Sequence, residues 1–247
     1  TASPFMFGLS ATPTRKDGLT KVFEWYIGKI VYKSKENNQD IVKVSIIKYY
    51  DTCEEYSKEF LKFKKKPCCP KMINNICNYP PRNTLIIDHI KDLFHEGRNI
   101  LILSDRRNHL EQLHKLLDEI SIDSGFYVGG MKPSELKISQ EKQIILGTFS
   151  MASEGMDIPK LNTIILASPK SDIVQAVGRI LREKSEHRKF IPHIIDIHDE
   201  FSLFKNQSQK RLKYYKKMNY TIDITNLNGI TEPILKQTTL NMNQCLC

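Results

Sequence analysis

Gln175, Arg179 and Arg182 stand at i, i+4 and i+7 in the segment Gln175-Ala-Val-Gly-Arg-Ile-Leu-Arg182. Wound as a helix, that spacing puts an amide and two guanidiniums on one face, with Ile173, Val177, Ile180 and Leu181 turned away. Guanidiniums take phosphate oxygens in pairs, so the face suits a polyanion. A solvated face on an ordinary amphipathic helix has the same pattern, so the segment does not decide alone.

The stretch upstream adds weight. Ile144, Ile145 and Leu146 read as a short, fully apolar strand, followed by Gly147-Thr-Phe-Ser-Met-Ala-Ser-Glu-Gly-Met-Asp-Ile-Pro159. Gly155 permits a tight turn, and Pro159 closes off any helix. Asp157 is then a short carboxylate in a loop past a strand's carboxyl end, where open α/β sheets bind ligands, and it could accept hydrogen bonds from a ribose. A plain strand-turn-strand connection would need nothing different.

Together the two segments resemble motifs V and VI of superfamily 2 helicases, in that family's order and with a strand (162–167) between them. Phe7-Gly-Leu-Ser-Ala-Thr-Pro13, continuing Thr14-Arg15-Lys16-Asp17-Gly18, resembles motif III in the form typical of the XPB-like branch and of DNA helicases from large cytoplasmic DNA viruses of the poxvirus and asfarvirus type. Asn99-Ile-Leu-Ile-Leu-Ser-Asp-Arg106 resembles motif IV. The resemblance runs from about residue 5 to about residue 200.

The resemblance implies roles. Arg179 and Arg182 match the motif VI arginines, which would stabilise charge developing on the γ-phosphoryl group. Gln175 would bond nucleotide or its attacking water, and Gln in place of His points to DExH-like branches. Gly155 and Asp157 would meet the nucleotide, and Gly178 would let the helix approach it closely. Ser104, Arg106, Gly129, Gly130, Thr148 and Ser150 follow strands at the edge expected to carry nucleic acid, where hydroxyls, basic groups and free backbone can contact phosphates. Ordinary loop chemistry accounts for those residue types as well. Ser10 and Thr12 would couple the two halves of the motor.

No Gly-x-x-x-x-Gly-Lys-Ser/Thr phosphate loop occurs, nor an Asp-Glu-x-His or Asp-Glu-Ala-Asp run to hold magnesium. The chain is therefore expected to be the C-terminal part of a longer helicase, with ATP and Mg2+ held by the full enzyme, none by this fragment alone, and no hydrolysis by the fragment itself. Its expected partners are single- or double-stranded DNA, with RNA as a further polymer, and the first RecA-like domain of the same polypeptide. The activity expected is ATP-driven translocation and unwinding in viral transcription or replication, in the cytoplasm or a viral factory there. A double-strand translocase that does not unwind, or an inactive nucleic-acid-binding module, are the alternatives. Retention of both arginines argues against the last.

Composition agrees. The 247 residues carry 37 Lys and Arg against 28 Asp and Glu, a net charge of +9, which suits a phosphate backbone without specifying a sequence. No apolar run is long enough for a membrane span. Cys53, Cys68, Cys69, Cys77, Cys245 and Cys247 form no paired C-x-x-C knuckles, so reduced thiols and no metal are expected. His193 and His198 flank a strand and face opposite ways, which makes them poor co-ligands.

The elements that must position these groups alternate. Strands are expected at 5–9, 41–50, 100–103, 125–128, 143–148, 163–166 and 193–197, with a further one at 220–224. Helices are expected at 17–26, 54–66, 71–78, 84–95, 107–120, 134–140, across the arginine segment, and at 203–218. The fold class that follows is α/β: a RecA-like, doubly wound, mostly parallel sheet with helices on both faces. The domains expected are 1–32, the end of a first RecA-like domain with linker; 33–218, the second, with an insert near 51–82; and 219–247, a tail.

Overall fold

The computed structural model describes residues 5–10, 18–32, 40–62, 66–153, 155–226 and 231–233. The chain divides into two compact units, 1–39 and 40–247.

In the first unit the expected strand at 5–9 is absent: residues 5–10 are irregular, and Phe5, Phe7 and Leu9 are largely exposed. A strand is stable only with a partner ladder, and no described strand pairs with it. Helix α1 (Thr20–Ile27) follows. It ends at Gly28, whose φ of +100° suits glycine and whose N–H donates to Glu24 O. Ser10 is exposed. Thr12 lies outside the described residues, as do the loop 33–39 and Cys245 and Cys247.

The second unit is built on one eight-stranded sheet in the order β3-β4-β2-β5-β6-β1-β7-β8. The strands are β1 (Lys43–Tyr49), β2 (Ile100–Ser104), β3 (Ser124–Tyr127), β4 (Ile144–Thr148), β5 (Thr163–Leu166), β6 (His193–Asp199), β7 (Thr221–Asn226) and β8 (Thr231–Pro233). All neighbours are parallel except β7 and β8. Strands β2, β5 and β6 are buried throughout; β2 and β5 read as near-continuous apolar runs for that reason.

Helices cover both faces. On one lie α2 (Cys69–Cys77), α3 (Pro80–His95) and α4 (Arg107–Glu119), whose Ile76, Ile86, Ile90, Leu110 and Leu113 pack on Ile102, Leu146 and Ile195. On the other, α6 (Phe149–Ser153), α7 (Val174–Val177) and α8 (Ser202–Lys217) set Phe149, Val177 and Tyr215 against Leu103, Ile164 and Ile194. Helix α5 (Pro133–Glu141) abuts β3 at Gly125, where a Cβ would come within 2.9 Å of Ser139 Cα.

Three elements depart from expectation. Residues 54–62 form a turn and an extended stretch, not a helix. Leu61 and Pro67 make an antiparallel bridge instead, and Lys62 N–H donates to Lys66 O. Tyr56 is drawn into the core against Tyr49, Tyr79 and Phe201, with its hydroxyl on Asp199 at 2.8 Å. Helix α3 starts at Pro80 rather than Thr84, because proline at the first turn lacks only an N–H that has no helical partner there. Helix α6 appears where a loop was expected.

Candidate functional site: the carboxyl edge of the sheet

Parallel strands present their carboxyl ends on one edge, and the sheet order makes β3, β4, β2 and β5 neighbours there. Ser104 and Thr148 are register partners. Gly129-Gly130, Thr148-Ser150, Ser104-Arg106 and the β5 exit at Ala167 therefore share one edge. Gly129 and Gly130 are exposed, and Gly130 has φ +85°. Thr148 Oγ1 lies 3.2 Å from Ser150 Oγ and accepts from Met151 N–H at 3.4 Å, so these hydroxyls both start α6 and face outward.

Ser104 behaves differently. It is fully buried, accepts from Arg106 N–H at 3.1 Å and donates to His109 Nδ1 at 3.0 Å. Its hydroxyl is spent inside the turn and does not face the edge. His109 Nε2 lies 3.0 Å from Asn83 Oδ1, and Asn83 Nδ2 donates to Cys77 O, which fixes the amide and with it the imidazole tautomer. Burial, with the Arg82 charge nearby, pushes the His109 pKa down to about 3. The Arg106 guanidinium, half-buried, donates to Asn74 Oδ1, Asp105 O and Pro70 O. The insert helix α2 thus holds it in place.

The arginine segment is only partly α-helical. Helix α7 gives way at Gly178 to a 3-10 turn over Gly178–Leu181. Gln175 is exposed. The two arginines have different fates. Arg179 donates to three loop carbonyls, Ala152 O, Ser153 O at 2.8 Å and Met156 O at 2.8 Å. Desolvation, with Arg182 nearby, lowers its pKa. Arg182 instead extends to the Asp157 carboxylate, which is largely exposed. One guanidinium is consumed as a staple on the Asp157 loop; the other meets the carboxylate at the surface.

Gly155 sits at φ +143°, a backbone setting that needs glycine. Gly178 has an ordinary helical φ, and nothing lies within 4 Å of a Cβ placed there. No steric contact in this structure therefore requires glycine at 178. Among the described residues no group of three or more His, Cys, Asp or Glu converges as a metal would require. His193 and His198 bind Ser45 Oγ (2.8 Å) and Asp196 (2.9 Å), on opposite faces.

Several residues at this edge have no sequence motif to announce them. Lys170 pairs with Asp105 at 2.9 Å and lies 5.3 Å above the Phe149 ring. Asp196 and Asp199, on opposite faces of β6, each bind a buried arginine. Arg82 forks onto Asp199 at 2.7 and 3.0 Å, joined by Tyr56 Oη at 2.8 Å. Arg211 Nε sits 2.9 Å from Asp196, joined by Tyr215 Oη at 2.8 Å. A carboxylate inside an otherwise apolar strand is the signal that could have found them, since a buried charge demands a partner.

Residues 83–184 match the helicase conserved C-terminal domain. By that match, residues 83–184 are similar to the helicase C-terminal domain. The helicase domain's match covers all of the edge just described except the insert helix α2 and the β6 aspartates with their partners. A protein of Acanthamoeba polyphaga mimivirus named "Putative ATP-dependent RNA helicase" is 43% identical over 233 residues, 90% of this chain and 43% of the relative. A protein of the same description from African swine fever virus is 26% identical over 243 residues, 88% of this chain and 46% of the relative. A "Putative helicase" of Invertebrate iridescent virus 6 is 26% identical over 230 residues, 86% of this chain and 49% of the relative. The chain thus spans less than half the length of these curated relatives. The fold is shared with the crystal structure of T4 UvsW, with a TM-score of 0.59 at 20% identity, over 77% of this chain and 42% of that one. No described helix is long and apolar enough to cross a membrane.

Proposed function

We propose that this chain is the C-terminal motor domain of an ATP-driven helicase, in which Arg182 acts on the nucleotide and Arg179 holds the loop that Arg182 works against. The observation that carries this is the division of labour between the two arginines. Each nitrogen of Arg179 donates to a carbonyl, of Ala152, Ser153 or Met156, whereas among the described residues Arg182 is bound only to the exposed carboxylate of Asp157. An exposed ion pair contributes little, about 0–1 kcal/mol, so a triphosphate can displace Asp157 at small cost. Arg182 would then stabilise charge developing on the transferred phosphoryl group. Asp157, once released, is free to accept hydrogen bonds from a ribose.

The chain contains no phosphate-cradling loop, so ATP and Mg2+ would be held chiefly by a first RecA-like domain of the same polypeptide, and this chain alone would not hydrolyse ATP. Nucleic acid would cross Gly129, Gly130, Thr148 and Ser150, with Arg106 and Lys170 beside them. These groups meet a phosphodiester backbone and not base edges, so recognition is of the strand and not its sequence. DNA is the polymer proposed. The relatives' names favour RNA as the second reading. The test is phosphate release by the full-length protein with oligothymidine or oligouridine as the stimulating strand, followed by strand displacement on the matching duplex. Stimulation by neither polymer would overturn the proposal; stimulation by RNA alone would replace DNA with RNA.

A further inference from the structure

The connection from β5 to the arginine segment, Ala167-Ser-Pro-Lys170, is gripped from both faces of the sheet. From the α3 face, Arg82 Nη1 donates to Ala167 O at 2.7 Å while its other nitrogens fork onto Asp199. From the α8 face, Arg211 Nη1 donates to Lys170 O at 2.6 Å while its Nε lies on Asp196. Both guanidiniums are essentially inaccessible to water. The same four residues are tied to the motif IV turn: Asp105 N–H donates to Ser168 Oγ at 2.8 Å, and Lys170 Nζ binds the Asp105 carboxylate.

A buried arginine beside an aspartate is weak evidence for stability, because well-packed apolar residues usually do as well or better. Here each arginine also does something an apolar pair cannot. It carries one donor past its aspartate to a carbonyl of the same four-residue connection. Asp196 and Asp199 lie an odd number of positions apart on β6 and so on opposite faces, which lets a single strand anchor both grips. The connection leads directly into Gln175, Arg179 and Arg182.

We infer that Arg82 and Arg211 are positioning residues, which hold the Ala167–Lys170 connection from opposite faces and so fix the register of Arg182 at the nucleotide edge. This inference rests on the proposed function. Its chemistry is geometric: a misplacement of about 1 Å of a group that contacts the transition state can cost up to a hundredfold in rate. Neither arginine touches substrate.

The test uses the full-length protein and two variants. The first makes one grip apolar, leaving no buried charge unpaired and removing the donor to Ala167 O: Tyr56→Phe, Arg82→Met and Asp199→Leu together. The second, Arg211→Lys, keeps a cation beside Asp196 but lacks the fork needed to span Asp196 and Lys170 O. Each is measured for its thermal midpoint, its kcat and KM for ATP, and its single-turnover rate with and without Arg182→Ala. The expected result is a folded protein with an unchanged KM and a kcat about tenfold lower, within the range such misplacement produces. In the Arg182→Ala background the further loss should be under twofold, because the effect passes through Arg182. Equal losses in both backgrounds, unchanged kcat, or failure of both variants to fold would each overturn the inference. A wild-type protein without strand-stimulated hydrolysis would instead sink the proposed function, and is separable for that reason.

Discussion

Stability should fall with pH well before any carboxylate titrates, because two histidines are buried neutral. His109 and His193 both have pKa values pushed down from 6.5 to about 3, first by burial and then by nearby cations: Arg82 for His109, Arg98 and Lys43 for His193. His193 also has a buried Nδ1 with no partner among the described residues, so protonation would place a second N–H where none of them accepts it. The sign follows from linkage. A group with a depressed folded pKa contributes stability that is complete above its unfolded pKa and is lost as pH falls toward the folded value. For these histidines the window runs from about pH 6.5 down to about pH 3. Within it the unfolded chain takes up a proton that the folded chain refuses, at about 1.4 kcal/mol per pH unit for each histidine. Between pH 7.5 and 5.5 the two together should remove about 3 kcal/mol, a large part of a typical domain's stability. Burial lowers the His89 pKa too, and it adds in the same direction. The assay is urea unfolding at pH 7.5, 6.5 and 5.5 on wild type, His109→Gln and His193→Gln. Each variant should lose about 1.4 kcal/mol less than wild type over that range, whatever its stability at pH 7.5. Exposed histidines and carboxylates cancel in the subtraction. Parallel pH curves for wild type and variants would refute the claim that these imidazoles are neutral in the fold.

In the full-length protein Arg182→Ala should lower kcat about a thousandfold, as loss of an arginine finger does, with nucleotide affinity much less changed; equal losses in titration calorimetry and turnover would refute that role. Arg179→Ala should instead destabilise this chain by about 1–3 kcal/mol, since three loop carbonyls lose their donors; an unchanged urea midpoint would show the staple to be idle. Below about pH 4 a further loss is expected from Asp196, whose carboxyl Arg211 and His198 hold well below the usual range despite its burial; an Asp196→Asn variant should show a flatter acid limb in the same titration. Binding of a labelled single strand by this chain should weaken with salt at a log–log slope on the order of −2 to −4, and a salt-independent affinity measured by fluorescence anisotropy would remove the phosphate track.

The sheet was legible because its strands are buried on both faces. Ile100–Leu103, Ile144–Leu146 and Ile164–Leu166 are apolar at successive positions, and a continuous run needs no knowledge of its neighbours. The insert was not legible. Residues 54–66 have helical spacing, but Tyr56 is better buried among Tyr49, Tyr79 and Phe201, with its hydroxyl on Asp199 143 positions away. Helix α6 is too short for any periodicity to register. At the site, the positions of Arg179 and Arg182 could be picked out by type and spacing, but not their opposite destinations. Those depend on where a loop some 25 residues upstream turns its carbonyls. Ser104 misled for a similar reason. A hydroxyl after a strand looks available until a histidine five residues on is found to claim it.

The strand order has a consequence for how such a chain is made. Strand β1, the first of the sheet to be synthesised, lies between β6 and β7, two of the last three. Ser45 and His193, joined across that junction, are 148 positions apart. At ordinary translation speeds of about 5–20 residues per second, β1 waits on the order of 10–30 s beside the ribosome before either neighbour exists. Throughout that interval its Val44, Ile46 and Ile47 have no sheet to enter. The elements from α3 to β5 can pair among themselves meanwhile, so the nascent chain would assemble from its middle outward and admit its earliest strand last.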